Sequence, residues 1–374
     1  MSTFARTDRS LISHWWWTVD RWTLAAIIVI VAFGAFLTLA ASPPVAQRLG
    51  FDTFYFVRRQ FVFLPVALIL MIGTALLSPR GLRRFALTIL GVALVMTALV
   101  PLIGIETNGA ARWLRLGPIS IQPSEFIKPT FAVTTAWLFA RWRLDDRFPG
   151  LVVGAGMLAI VTALLLLQPD VGMTTVVVSV WSCQLFLAGL PLVLVVCLGL
   201  LAVAGAVGAY LTFDHVRTRI DVFIDPNAEQ NYQVVQSLRA FRDGGLLGRG
   251  PGEGRVKEVL PDAHADFIFA VAGEEFGLIV CLVVIALFAF IVLRGFSRAL
   301  RDNDLFSLLA VAGLLVQFGL QALINLASTT NLIPPKGMTL PFISYGGSSA
   351  LSLALTTGMV LALTRERMDG GVRP

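Results

Sequence analysis

Residues 23–41 read Thr-Leu-Ala-Ala-Ile-Ile-Val-Ile-Val-Ala-Phe-Gly-Ala-Phe-Leu-Thr-Leu-Ala-Ala, a run with no charged side chain. As a helix rising about 1.5 Å per residue, such a run nearly crosses the roughly 30 Å hydrocarbon core of a bilayer. The pattern repeats at 61–77, 85–104 and 150–167, each again free of charge. Several such blocks in one chain cannot all be core helices of one soluble domain. Composition agrees: 56% of the 374 residues are hydrophobic and 14% are charged, against about a quarter charged in soluble domains. The mean hydropathy is +0.80. The fold class that follows is an all-α polytopic integral membrane protein.

Further spans are expected near 129–140 with its flanks, 171–188, 191–212, 267–293, 305–327 and 343–364, giving about ten. Gly189-Leu190-Pro191 leaves room only for a tight turn between two of them. Residues 1–22 carry charges and no convincing cleavage site follows the first span, so they read as a cytoplasmic tail and not a signal peptide. Trp15, Trp16, Trp17 and Trp22 suggest an interfacial aromatic belt. With the N-terminus inside, segments 1–22, 78–84, 141–149, 294–304 and 365–374 fall on the cytoplasmic side, and each holds three arginines. Basic residues favour that side, so both termini are expected in the cytoplasm. The organisation is then a tail (1–22), a membrane unit (23–364) and a second tail (365–374). The long loop 213–265, before the eighth span, is placed in the periplasm.

The formal net charge of +6 is explained by topology-setting arginines, so nucleic-acid binding is not expected. Cys183, Cys197 and Cys281 all lie in apolar runs. They read as small hydrophobes, without a disulfide framework or a thiolate metal site.

Polar motifs gather on the outer side. Segment 101–125, rich in Gly and Pro, is expected to be irregular and contains Arg112. It leads into Glu125 and Lys128, which share a helix face. They read either as a capping ion pair or as part of a polar cleft, because ionisable groups at span depth usually line water. Gln168-Pro169-Asp170 echoes Gln122-Pro123-Ser124-Glu125. An acid there complements a helix dipole, which makes Asp170 structural or supporting. Residues 244–254 hold six glycines without a phosphate-binding signature and suggest a flexible flap. Asp266 opens the eighth span, followed by Ala270, Gly273 and Gly277 on one small face. It reads either as an N-cap or as an acid above a groove, where a general base is wanted. Glu274 and Glu275 lie deeper and must be paired, protonated or hydrated. His264 reads as an ordinary loop histidine. Lys336 and Ser344 fall in a segment whose prolines and glycines interrupt the last two spans.

Three of these stretches together resemble the SEDS family (shape, elongation, division and sporulation). They are Asn108-Gly-Ala-Ala-Arg-Trp-Leu with Gln122-Pro-Ser-Glu-Phe-Ile-Lys128, the run 260–277, and the run 336–349. The resemblance spans most of the chain and leans to the division branch over the elongation branch. Asp262 and Ala265 depart from that branch, where glutamate and threonine are usual. The resemblance implies a ten-helix fold in the bacterial inner membrane, at the septum, and polymerisation of lipid II into peptidoglycan glycan strands. It implies a class B penicillin-binding protein of the FtsI type as partner, among other division proteins of the membrane. It places the family's essential aspartate at Asp266 and its fourth-helix pair at Glu125 and Lys128. On that reading Asp266 is the base for a sugar hydroxyl whose in-line attack inverts the anomeric centre. Arg112, Lys128 and Lys336 meet pyrophosphate, Glu125 orients Lys128 or binds the acceptor, and Ser344 joins the substrate set. A divalent cation, magnesium or manganese, is compatible with Asp262 and Asp266 but not required. Competing readings are an elongation polymerase, a lipid II flippase or a scaffold without activity.

Overall fold

The computed structural model describes residues 10–107, 110–117, 119–224 and 232–366. Residues 1–9 and 367–374 of the two tails, and Asn108-Gly109 of the first motif, lie outside the described residues. The chain is a polytopic helical bundle. Its long helices are α2 (Arg21–Arg48), α3 (Tyr55–Ala75), α4 (Pro79–Ile103), α5 (Pro123–Leu144), α6 (Gly150–Leu167), α7 (Val171–Leu187), α8 (Leu192–Thr212), α12 (Ile268–Ala299), α13 (Leu305–Thr329) and α14 (Gly347–Leu363). Among the described residues six of them, α2, α3, α4, α6, α12 and α13, are long and apolar enough to cross a bilayer, and α7 and α14 are shorter apolar helices. Local signals set the ends. Asp20 caps α2 and Ser78 caps α4, each accepting from a backbone amide of the first turn.

Helices α5, α13 and α14 form the centre. Most of their side chains are buried on every face, as expected of helices surrounded by others. Around them α3, α4 and α6 turn apolar side chains such as Ile69, Val95 and Val152 outward, a surface that suits lipid. The joint between α3 and α14 is tight because Gly358 lies against the backbone of Met71. A Cβ at Gly358 would sit 2.5 Å from the Met71 carbonyl oxygen. Small residues permit such backbone approach within membranes.

Three expectations need correction. Segment 101–125 is not irregular: it folds into a three-stranded antiparallel sheet, β1 (Ile105–Thr107), β2 (Ala110–Leu116) and β3 (Ile119–Ile121). The turn at Gly117, with φ of 64°, suits the hairpin between β2 and β3. The long segment 213–265 is substantially helical, with α9 (Asp214–Ile224), α10 (Tyr232–Gly244) and α11 (Val256–Val259). The aromatic belt is split. Residues 11–18 form helix α1 (Leu11–Thr18), which buries Trp15 in the core while Trp16 and Trp22 stay exposed.

At the end of the bundle formed by the start of α2, Asp20 is buried and bonded to Arg294 at 2.6 and 2.8 Å and to Arg298 at 3.1 Å. Arg298 also reaches the Thr364 carbonyl and Glu366. This cluster ties the first membrane helix to the far ends of α12 and α14.

Candidate active site

At the other end of the bundle the chain encloses a cavity of about 580 Å³. Its wall is built where α5, α7, α12 and α14 begin and where α13 approaches its end. Four helix N-termini therefore border one volume, and each brings the positive end of a backbone dipole.

Asp266 stands on a run of turns just ahead of α12. Its amide donates to the Asp262 carbonyl at 3.1 Å, and its own carbonyl accepts from Asn325 Nδ2 at 2.9 Å. The carboxylate borders the cavity, and among the described residues no donor meets it. Burial, and then the nearby charge of Asp262, push this carboxyl up to about 7. Loss of hydration with no compensating bond disfavours the charged form. The result is a group that exchanges a proton near neutrality.

Across the cavity, Glu125 Oε2 and Lys128 Nζ are 2.8 Å apart, one helical step from each other on α5. Lys128 also donates to Gln321 Oε1 at 2.8 Å. The Gln321 amide donates in turn to Thr339 and to Ser349 Oγ at 3.1–3.2 Å. Glu125 and Gln321 border the cavity, whereas Lys128 is buried beneath them with its side chain 1% exposed.

Three cations also border the cavity. Arg59 comes from α3, Arg112 from β2, and Lys336 from the segment between α13 and α14. Arg59 donates to the Tyr55 hydroxyl at 2.9 Å. Arg112 donates to the carbonyls of Gln168 and Pro169 and lies 4.0 Å from Asp170. Asp170 caps α7 by accepting from the Met173 amide. His264 packs in a three-ring cluster with Phe56 and Tyr345, its ring tilted against both at centroid distances of 4.4 and 5.2 Å, while those two rings also meet edge-on at 5.1 Å. Burial, assisted by the charge of Arg48, lowers its pKa to about 4, so the imidazole is neutral at physiological pH.

Comparison with known proteins adds a second line. The profile of a family described as cell cycle protein, the FtsW, RodA and SpoVE group, matches residues 21–369. The chain belongs to this family, the SEDS proteins. It is 47% identical over 366 residues to a relative from Caulobacter vibrioides named probable peptidoglycan glycosyltransferase FtsW, covering 97% of this chain and 94% of that one. A relative of the same name from Saccharophagus degradans is 38% identical, covering 92% and 93%. Among solved structures, a chain from a peptidoglycan synthase complex that coordinates polymerization and crosslinking is similar with a TM-score of 0.78 and 29% identity, covering 94% of this chain and 99% of that one. The rod shape determining protein RodA of Thermus thermophilus is similar with a TM-score of 0.67 and 28% identity, covering 93% and 97%.

Within this SEDS chain the residues singled out from sequence fall into two groups. Asp266, Glu125, Arg112 and Lys336 meet at one cavity, with Asp170 and His264 on its wall. Lys128 and Ser344, expected as direct substrate contacts, are instead placed off its wall. Lys128 is turned inward by Glu125 and Gln321. Ser344 Oγ donates to the Ala265 carbonyl at 2.6 Å and accepts from the Leu340 amide at 2.7 Å, tying the 340 turn to the chain beside Asp266. Arg112 borders the cavity, with Nε and Nη2 already donating to carbonyls and Nη1 4.0 Å from Asp170.

The glycine-rich stretch is not a free flap. Helix α12 breaks at Gly277, where φ is 77° and ψ is −178°. Residues 245–257 wrap the break as a strap. Amides of Arg249 and Gly250 donate to the carbonyls of Glu274 and Glu275, and Leu278 donates to Gly245. The Glu274 carboxylate accepts from the amides of Arg255 and Val256. Glu275 pairs with Lys257 at 2.6 Å. Both acids are thus occupied in holding the strap, away from the cavity wall.

Sequence reasoning missed Gln321 and Asn325. The signal was present: Gln317, Gln321 and Asn325 recur every four residues in an otherwise apolar span, which places three carboxamides on one face of α13.

Proposed function

We propose that this chain is a peptidoglycan glycosyltransferase of cell division, polymerising lipid II at the extracytoplasmic face of the inner membrane. The observation that carries the reading is Asp266: an unpartnered carboxylate with a proton affinity near neutrality, on a cavity bordered by helix N-termini and three cations. The names carried by the relatives support the same chemistry.

The reaction joins a sugar 4-hydroxyl to an anomeric carbon that bears undecaprenyl pyrophosphate. The new C–O bond forms as the bond to pyrophosphate breaks, and the configuration inverts from α to β. The hydroxyl proton passes to Asp266, and the electron pair of the broken bond leaves on pyrophosphate. A base with a pKa near the working pH suits such a transfer. The dipole ends of α5, α12 and α14, with Lys336 and Arg59, relieve the charge that develops on the leaving group. Pyrophosphate is already a good leaving group, so no general acid is required. A divalent cation would find Asp262 and Asp266 here, fewer oxygens than a protein-held ion usually takes, and no step above is routed through one.

A class B penicillin-binding protein is the proposed partner. The synthase-complex likeness supports it, since that assembly couples polymerization to crosslinking. Septal action is proposed from the division relatives. A fluorescent fusion at midcell supports that role, and a sidewall pattern reassigns the chain to elongation. The decisive assay supplies labelled lipid II to purified protein. Polymer from wild type and none from Asp266→Ala is the expected pair. Full activity in Asp266→Ala removes Asp266 as the base.

A further inference from the structure

We infer that Asn325, a buried carboxamide on α13, is the positioning residue that holds the Asp266 segment against the Gly337 segment and so sets where the Asp266 carboxylate stands. The inference rests on the assignment of Asp266 as base.

Asn325 is fully buried, and its Nδ2 donates to two carbonyls at once: Asp266 at 2.9 Å and Met338 at 2.7 Å. Both acceptors are carbonyl oxygens, so only the amide nitrogen can face them and the orientation of the group is fixed. The Oδ1 atom has no partner among the described residues, so no bond on that side competes for the side chain. These two bonds join segments far apart in sequence. One carries the carboxylate and the other runs beside it. Gly337, next to Met338, lies so near that a Cβ there would sit 3.2 Å from Asp266 Oδ2. The same helix holds the neighbouring parts of the second segment. Ser328 Oγ accepts from the Lys336 amide, and Gln321 donates to Thr339. One helix therefore fixes the base, the chain that covers one side of its carboxylate, and, through Gln321, the Glu125–Lys128 pair opposite. A displacement of about 1 Å in a reacting group commonly costs on the order of a hundredfold in rate.

The test varies the bond and the shield separately. Asn325→Leu keeps the volume and removes both donors. The expected outcome is a kcat for lipid II polymerisation about 10- to 100-fold lower with KM changed less than about threefold. As the segments part, water reaches the carboxylate and the midpoint of the rise of kcat with pH moves down. Gly337→Ala presses a methyl toward the carboxylate and moves that midpoint up. The other charged or titratable groups on the cavity are Asp262 and His264 on the same turn, Arg59, Arg112, and Glu125. Asp170, Lys336 and Tyr345 complete the set; none is altered in either variant. A purely structural Asn325 gives a different result: less folded protein and a lower Tm, with kcat per folded molecule and the pH midpoint both unchanged. That result overturns the inference while Asp266→Ala remains inactive. If Asp266→Ala retains activity, the base assignment itself fails.

Discussion

At the scale of the residue, the cavity contrasts two ways of keeping a charge in an apolar place. Lys128 and Glu125 are paired, so removing one partner strands the other. Glu125→Ala is expected to destabilise the fold by about 3–5 kcal/mol. Much of that loss is restored in Glu125→Ala/Lys128→Met, which removes both charges; thermal unfolding in detergent reads the difference. Asp266 has no such partner, and two consequences follow. Its carboxyl titrates at about 7 in the fold, so polymerisation should climb with pH through that value and then level off. An activity profile flat from pH 6 to 8 contradicts this. Stability runs the opposite way. The folded pKa lies above the unfolded value of 3.8, so the fold prefers the protonated group. The cost of ionising it is absent below about pH 4 and complete above about 7. Asp266→Asn should therefore abolish polymer formation and yet raise Tm at pH 8, with a smaller gain at pH 5. A lower Tm at pH 8 in that variant is the contrary result.

At the scale of the element, the broken helix α12 is the feature that sequence pattern concealed. Residues 267–293 are continuously apolar apart from Glu274 and Glu275, and hydropathy sees a single span. The backbone instead turns at Gly277 in a region that L-residues with a Cβ rarely enter, and Leu246 O would lie 2.4 Å from an added Cβ. Gly277→Ala should loosen the strap at 245–257. Faster proteolysis within that stretch, with a Tm below wild type, is the expected outcome; an unchanged digestion pattern argues that the strap tolerates the methyl. The sheet at 105–121 was hidden for a related reason. Its Gly and Pro content marks turns, while its strands are too short for alternation to stand out. By contrast, the start of α7 was readable from Asp170, because a cap acts through its own first turn.

At the scale of the whole molecule, polar chemistry is divided between two ends. One holds the cavity, and the other holds the Asp20 cluster. Burial would raise the Asp20 carboxyl, but bonds from Arg294 and Thr23 and the charge of Arg298 outweigh it and hold it below the usual carboxylate range. Its stabilisation is present above about pH 4 and is lost as pH falls through the lowered folded value. Asp20→Asn should lower Tm at neutral pH, since Arg294 loses its carboxylate and Arg298 keeps only Glu366. Equal Tm values for the variant and wild type at pH 7 contradict that role. The same division predicts topology: a single-cysteine label at position 262 should react from outside the cell, and one at position 302 only after permeabilisation. Reaction of both from outside overturns the orientation.

Sequence alone determined that this chain crosses a membrane many times, roughly where each span runs, and which polar motifs break the apolar pattern. Those properties follow from local composition and helical period, which each segment expresses without reference to the others. Only the tertiary structure decided that Lys128 is turned inward, that Ser344 braces a turn and that Glu274 and Glu275 hold a strap. It also showed that Asn325 grips the carbonyl of a residue 59 positions away. These depend on which side chains meet across helices, and burial and pairing at such meetings are not encoded in any single stretch of the chain.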